Sequence, residues 1–187
     1  AGLAGVEAAD LLAKNNIKIN KSETHFLSSY EHETEIPELP HPGAFSKKRK
    51  HHQHEGVDLY CENMDEVFSM EKGIIIGIFP FTGEIANSPW WNNTYCMLVR
   101  CENFVFNYGE IIPSQYVNVG DIVEEGDVLG WVVPVLKKNK GRPMTMLHLE
   151  MYEKNILIPT SSWKLNEEKH EGLLDPTMYL KKLAKIV

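Results

Sequence analysis

Residues 117–130 read VNVGDIVEEGDVLG, and the reading of this stretch sets the fold expected for the whole chain. Valine and isoleucine suit a pleated, half-buried surface, whereas the glycines at 120, 126 and 130 interrupt them every few residues. Tight turns at Gly120, Gly126 and Gly130, joining very short strands, are therefore expected. On either side lie further short apolar runs separated by Gly, Pro and Asn: VDLYC from Val57, GIIIGIF from Gly73, TYCMLVR from Thr94, NFVFNYG from Asn103, DVLGWVVPVL from Asp127 and MTMLHLEMY from Met144. Gaps this short leave no room for the crossover helices that parallel strands require. A mainly β domain results, expected as an antiparallel sandwich or barrel.

The flanks differ in texture. Residues 1–14 are rich in Ala and Leu and are expected to be helical. Residues 15–50 are polar and interrupted by Pro37, Pro40 and Pro42, as in an extended arm wrapped on the domain, so the division expected is an arm at 1–50 and a domain at 51–187. Residues 154–172 read as a polar surface excursion. Beyond them Asp175 and Pro176 form an acidic cap and a fixed-φ start for a short C-terminal helix with lysines near its end.

With 187 residues, the chain is about one domain long, and 43% hydrophobic with 24% charged residues is a globular composition. No apolar run approaches the roughly 20 residues that cross a bilayer, so a soluble protein without a membrane span is expected. A net charge of -7 argues against a general nucleic-acid binder. The chain starts at Ala1 without a secretion signal, which leaves a processed start and the compartment open. Cys61, Cys96 and Cys101 cannot all pair within one chain. Were residues 97–100 one strand, Cys96 and Cys101 would lie too far apart to bridge, so free thiols are expected.

The strongest chemical signal is His54-Glu55-Gly56-Val57-Asp58. Gly56 disfavours a helix, so a loop running into a strand is expected, with His54 and Asp58 on one face. Imidazole and carboxylate both ligate zinc, but a catalytic zinc needs three protein ligands and an open position. Alternation along residues 146–151 supplies a third candidate: Leu147, Leu149 and Met151 face one side, while Met146, His148 and Glu150 face the other. Taken singly, each of these residues is as easily a surface pair or a hydrogen-bonded core histidine.

Taken together and in this order, the motifs resemble those of the lysostaphin-type (LytM-like) zinc endopeptidases. That family has a His-x-Gly-x-Asp opening, a Val-x-x-Gly-rich middle and a closing His-x-His strand. Here Phe45 and Arg49 precede HEGVD at 54–58, followed by EVFSMEKGIII at 66–76, VNVGDIVEEGDVLG at 117–130, MLHLE at 146–150 and DPTMYL at 175–180. The resemblance implies the duplicated hybrid motif of that fold and a Zn2+ ion held by His54, Asp58 and His148 beside a groove. Active members carry two further histidines that move protons and stabilise the oxyanion; the corresponding positions here are Met146 and Glu110. A thioether neither gives nor takes a proton, and losing a general acid or base costs ~10²–10⁴ in rate.

The chain thus resembles a degenerate member of the leukocyte cell-derived chemotaxin type, a pseudoenzyme expected to bind a peptide, glycan or protein in its groove. The alternative is an active hydrolase in which Glu110 is the general base. Glu110 has two other readings, a fourth ligand that closes the site and a solvated carboxylate. A third class is a metal-free interaction module in which both histidines only hydrogen-bond.

Trp90, Trp91 and Tyr108 are the aromatic candidates for the groove, the tryptophans suiting peptide or sugar stacking or else capping a core. Two basic runs, Lys47-Lys48-Arg49-Lys50 beside His51 and His52, and Lys137, Lys138, Lys140 and Arg142, are solvated loops or patches for an anionic partner. The sequence leaves open whether residues 1–50 cover the groove as an inhibitory arm, which His41 or Glu38 could do by reaching the metal.

Overall fold

The computed structural model describes residues 36–184. The helix expected at residues 1–14 and the first part of the arm lie outside the described residues. Nine antiparallel strands form one sheet: β1 (Val57–Tyr60), β2 (Glu66–Phe68), β3 (Gly73–Thr82), β4 (Thr94–Arg100), β5 (Phe104–Pro113), β6 (Ile122–Val123), β7 (Val128–Val132), β8 (Met146–Glu153) and β9 (Leu173–Leu174). The main path runs β1, β8, β5, β4, β3, β6; β7 joins β5 and β2, and β9 joins β8. The sheet is not closed, which corrects the barrel half of the sequence reading. A single short helix, α1 (Thr177–Ala184), closes the described chain, with the Asp175 carboxylate accepting the Thr177 backbone N–H at 2.9 Å as its cap.

Of the three turns expected in residues 117–130, two form. Gly120 and Gly126 adopt φ of 96° and 83° in the connections between β5, β6 and β7. Gly130 lies within β7 opposite Val67 and Pro113. There glycine serves close backbone approach rather than a turn, since a Cβ would come within 2.2 Å of the Ile112 carbonyl oxygen.

Alternation sorts each strand into two faces. On β8 the leucines at 147 and 149 are buried with Val57, Leu59, Phe106 and Tyr108, whereas His148 and Glu150 point to the opposite side. The segment before β1 joins the same core: Ile36 and Phe45 are buried, and the Phe45 ring lies 5.7 Å from that of Trp163 in the loop between β8 and β9. The Trp163 backbone N–H in turn donates to the Glu55 carboxylate at 2.7 Å. The excursion at residues 154–172 thereby holds the loop that carries His54. All three cysteines are free, with Cys96 in β4 and Cys101 just beyond its end.

Candidate metal centre

Strand register brings the two ends of the motif together. β1 pairs with β8 so that Asp58 lies opposite His148, and β8 pairs with β5 so that His148 lies opposite Gly109. His54 comes from the loop before β1, which passes over His148 because Gly56 lacks a side chain: a Cβ there would meet the Leu149 carbonyl oxygen at 2.5 Å and the His148 ring at 3.0 Å. Gly109 has the same role on the other flank, where a Cβ would strike the Phe81 ring at 2.2 Å. Phe81 instead packs on His148 with ring centroids 5.3 Å apart.

His54, Asp58 and His148 are buried and converge. His54 Nε2 is 3.1 Å from Asp58 Oδ1 and 3.1 Å from His148 Nδ1, and His148 Nδ1 is 2.9 Å from Asp58 Oδ1. Ligands about 2.0–2.1 Å from a tetrahedral ion are separated by roughly 3.3 Å, so the triangle has nearly the dimensions of one face of such a site. Among the described residues, no fourth His, Cys, Asp or Glu joins this group.

The outer ring nitrogens decide the tautomers. His54 Nδ1–H donates to the Ala44 carbonyl at 2.9 Å, and His148 Nε2–H donates to Glu150 Oε1 at 2.9 Å. Each neutral imidazole therefore presents its unprotonated nitrogen to the other, with a carboxylate oxygen between them. Three acceptors facing one point require a cation or a shared proton, and this donor set fits zinc. Around it the outer groups are themselves held: Glu150 accepts from Asn107 Nδ2 at 3.0 Å and from the Tyr152 hydroxyl, and Arg49 donates to Asp58 Oδ2 at 3.1 Å.

The electrostatics agree with that geometry. Burial alone would raise the Asp58 and Glu150 pKa values, but His54 and His148 beside Asp58, and His148 with the Tyr152 and Asn107 hydrogen bonds at Glu150, override it and hold both carboxyls below the ordinary carboxylate range. Burial by itself would lower that of His148, and the hydrogen bonds to Asp58 and Glu150 drive it well above the usual imidazole value instead. The pocket thus has a high affinity for a positive charge, whether a proton or a metal ion.

Glu110 sits differently. Tyr95 pairs with Ile111 and Cys96 with Gly109, so Glu110 is an extra residue in β5, a β-bulge, at the point where the partner of β5 changes from β8 to β7. Its φ is 64°, a left-handed conformation that is uncommon for a residue with a side chain. The bulge turns the carboxylate into a groove of about 500 Å³ whose lining also includes Asp58, Tyr60, Thr82, Trp91, Arg142 and Met146. Glu110 Oε2 is buried without a hydrogen-bond partner among the described residues. Burial and the charge of Asp58 push its pKa up to about 8.

The other sequence candidates divide. Trp91 lines the groove, and Trp90, 64% exposed, lies beside it with ring centroids 5.8 Å apart. Tyr108 does not line the groove. It points to the core face of β5, fully buried, and its hydroxyl accepts the Met70 N–H at 2.9 Å, because the one-residue alternation ahead of the bulge puts it opposite to His148. Neither arm residue reaches the metal triad: Glu38 pairs with Lys181 at 2.6 Å, and His41 Nδ1 accepts the Gly43 N–H at 2.9 Å while its ring packs near Tyr60. Sequence reasoning missed Glu150 as the group that orients His148. Its place two residues beyond His148 on the same strand face was a usable signal.

By sequence, no family model and no curated protein matches the chain. By structure, the chain is similar to the catalytic domain of the antimicrobial peptidase lysostaphin from Staphylococcus simulans, with a TM-score of 0.53 over 83% of this chain and 96% of that one at 17% identity. It is also similar to LytU, with a TM-score of 0.50 over 80% and 83% of the two chains at 15% identity. A longer lysostaphin chain aligns with a TM-score of 0.50 over 75% of this chain and 48% of that one at 16% identity. These likenesses establish a lysostaphin-type fold.

Proposed function

We propose that the chain is a zinc-dependent hydrolase of peptide bonds in which His54, Asp58 and His148 hold the ion and Glu110 is the general base. The observation that carries this reading is Glu110 itself: a buried, unpartnered carboxylate oxygen on a bulge, in a strained conformation, in the lining of a groove that Asp58 of the triad also lines. A merely structural glutamate gains nothing from that arrangement, which costs about 1–3 kcal/mol in backbone strain alone.

A zinc ion in the triad supplies Lewis acidity toward a carbonyl and toward a water. The chain's own residues do the rest. Asp58 is oriented by Arg49, and His148 by Glu150, so the donor atoms keep their positions as substrate enters. Glu110 takes a proton from water in the groove at its carboxylate and returns it to the leaving amine. Trp91, Val135 and Leu136 form an apolar wall that excludes bulk water from one side of the groove. The half-buried Tyr60, two residues from Asp58, adds a hydroxyl donor to the lining. Met146 occupies its strand position as an apolar contact and takes no part in proton transfer.

A second reading rests on Met146 and on the missing second histidine: a degenerate domain of the chemotaxin type that binds a peptide, glycan or protein without cleaving it. Zinc-loaded protein incubated with glycine-rich peptides and with purified murein separates the two. Cleavage that is lost in Glu110→Gln supports the hydrolase, whereas intact substrates with the wild type support the binding module.

A further inference from the structure

The two basic runs, far apart in sequence, meet at the groove. Lys47, Lys48 and Arg142 all line it. Lys137, Lys138 and Lys140 line an adjoining cleft of about 220 Å³ that shares Trp91 and Leu136 with the groove and has Trp90 as a further wall. None of these six cations forms an ion pair among the described residues. Arg49 is different, being engaged by Asp58 and the Pro42 carbonyl.

Such a concentration runs against the sign of the chain, whose net charge is -7. Among the described residues, the carboxylates lining the groove are Asp58, within the triad, and Glu110, beside it. The lining thus combines the unpaired cations with the carboxylate of Glu110. A complementary ligand carries anions for those cations and an uncharged linkage for Glu110. A nucleic acid does not match, since its evenly spaced phosphates would place one against Glu110, and the overall charge repels a polyanion. A peptide matches, because each residue advances about 3.3 Å and a neutral amide can cross Glu110 while carboxylates a few residues away reach the lysines.

We infer that the groove selects acidic peptides, with carboxylates on the residues flanking the bond that lies over Glu110, held by Lys47, Lys48, Arg142 and the lysines at 137, 138 and 140. This specificity rests on the peptidase reading above. The exposed indoles of Trp90 and Trp91 supply the surface along which the flanking residues lie.

The test uses three fluorescent peptides of equal length with a Gly-Gly centre and acidic, neutral or basic flanks, titrated by anisotropy into zinc-loaded Glu110→Gln protein. The acidic peptide is expected to bind about tenfold tighter than the neutral one, the sum of a few exposed ion pairs, and the preference is expected to shrink as salt is raised. Lys47→Gln combined with Arg142→Gln is expected to shrink the preference severalfold. Equal affinities for acidic and neutral peptides, a preference undiminished by the double substitution, or tighter binding of a single-stranded oligonucleotide of equal charge would overturn the inference. Wild-type turnover keeps the two claims apart. Selective binding of acidic peptides that are never cleaved preserves the specificity and sinks the hydrolase; equal cleavage of acidic and neutral peptides does the reverse.

Discussion

A carboxylate turned into a groove by an extra residue in its strand carries the chemical part of this account, and its consequences begin with that side chain. Glu110→Gln removes the proton acceptor while keeping size and the bulge, so peptide hydrolysis is expected to fall ~10²–10⁴-fold with zinc affinity unchanged. A comparable loss of zinc affinity in that variant would make Glu110 a ligand instead. Glu150 makes the opposite prediction. Glu150→Gln leaves the triad intact but weakens the hold on His148 Nε2–H, and zinc affinity measured by chelator competition is expected to drop about 10–100-fold. Legibility in sequence differed sharply at this scale. The meeting of His54, Asp58 and His148 was readable because motif spacing and strand alternation are local properties. The groove position of Tyr108 was misread, because the bulge that separates it from Glu110 is set by register between strands and leaves no mark in the residues themselves.

At the scale of the element, the bulge in β5 makes stability and function oppose each other. Glu110→Gly accepts a φ of 64° at no steric cost and removes a buried carboxylate, so the metal-free variant is expected to be stabilised by about 1 kcal/mol or more in a denaturant titration while losing activity. A destabilised variant would mean that the carboxylate has a structural partner after all. The loop over His148 behaves in the reverse sense. Gly56→Ala drives a Cβ into the Leu149 carbonyl and is expected to cost stability and zinc affinity together. The strands around this element were anticipated almost run for run from apolar spacing. Gly130 was not, since a glycine that admits a neighbouring strand and one that makes a turn look alike until the neighbour is known.

For the whole molecule, the antiparallel order brings an early loop, a first strand and a late strand to one point, which is how side chains many residues apart become neighbours. Closure of the sheet into a barrel was not decidable from spacing, because strand count and tilt are not written in the strands' composition. Global stability carries the signature of the buried carboxyl. With the folded pKa of Glu110 near 8 and the unfolded one near that of an ordinary glutamate, the native state binds the extra proton between those values. Metal-free protein is therefore expected to lose stability as pH rises from about 5 to about 8, and Glu110→Gln is expected to flatten that slope; identical slopes in the two proteins would remove the displaced pKa from the account.

Zinc-edge X-ray absorption on the wild-type protein reconstituted with zinc tests the centre itself. One ion per chain, with a shell of nitrogen and oxygen at about 2.0–2.1 Å and no sulfur, lost in His148→Ala, is the expected result. Substoichiometric zinc, or a sulfur scatterer near about 2.3 Å from the cysteines, would contradict it.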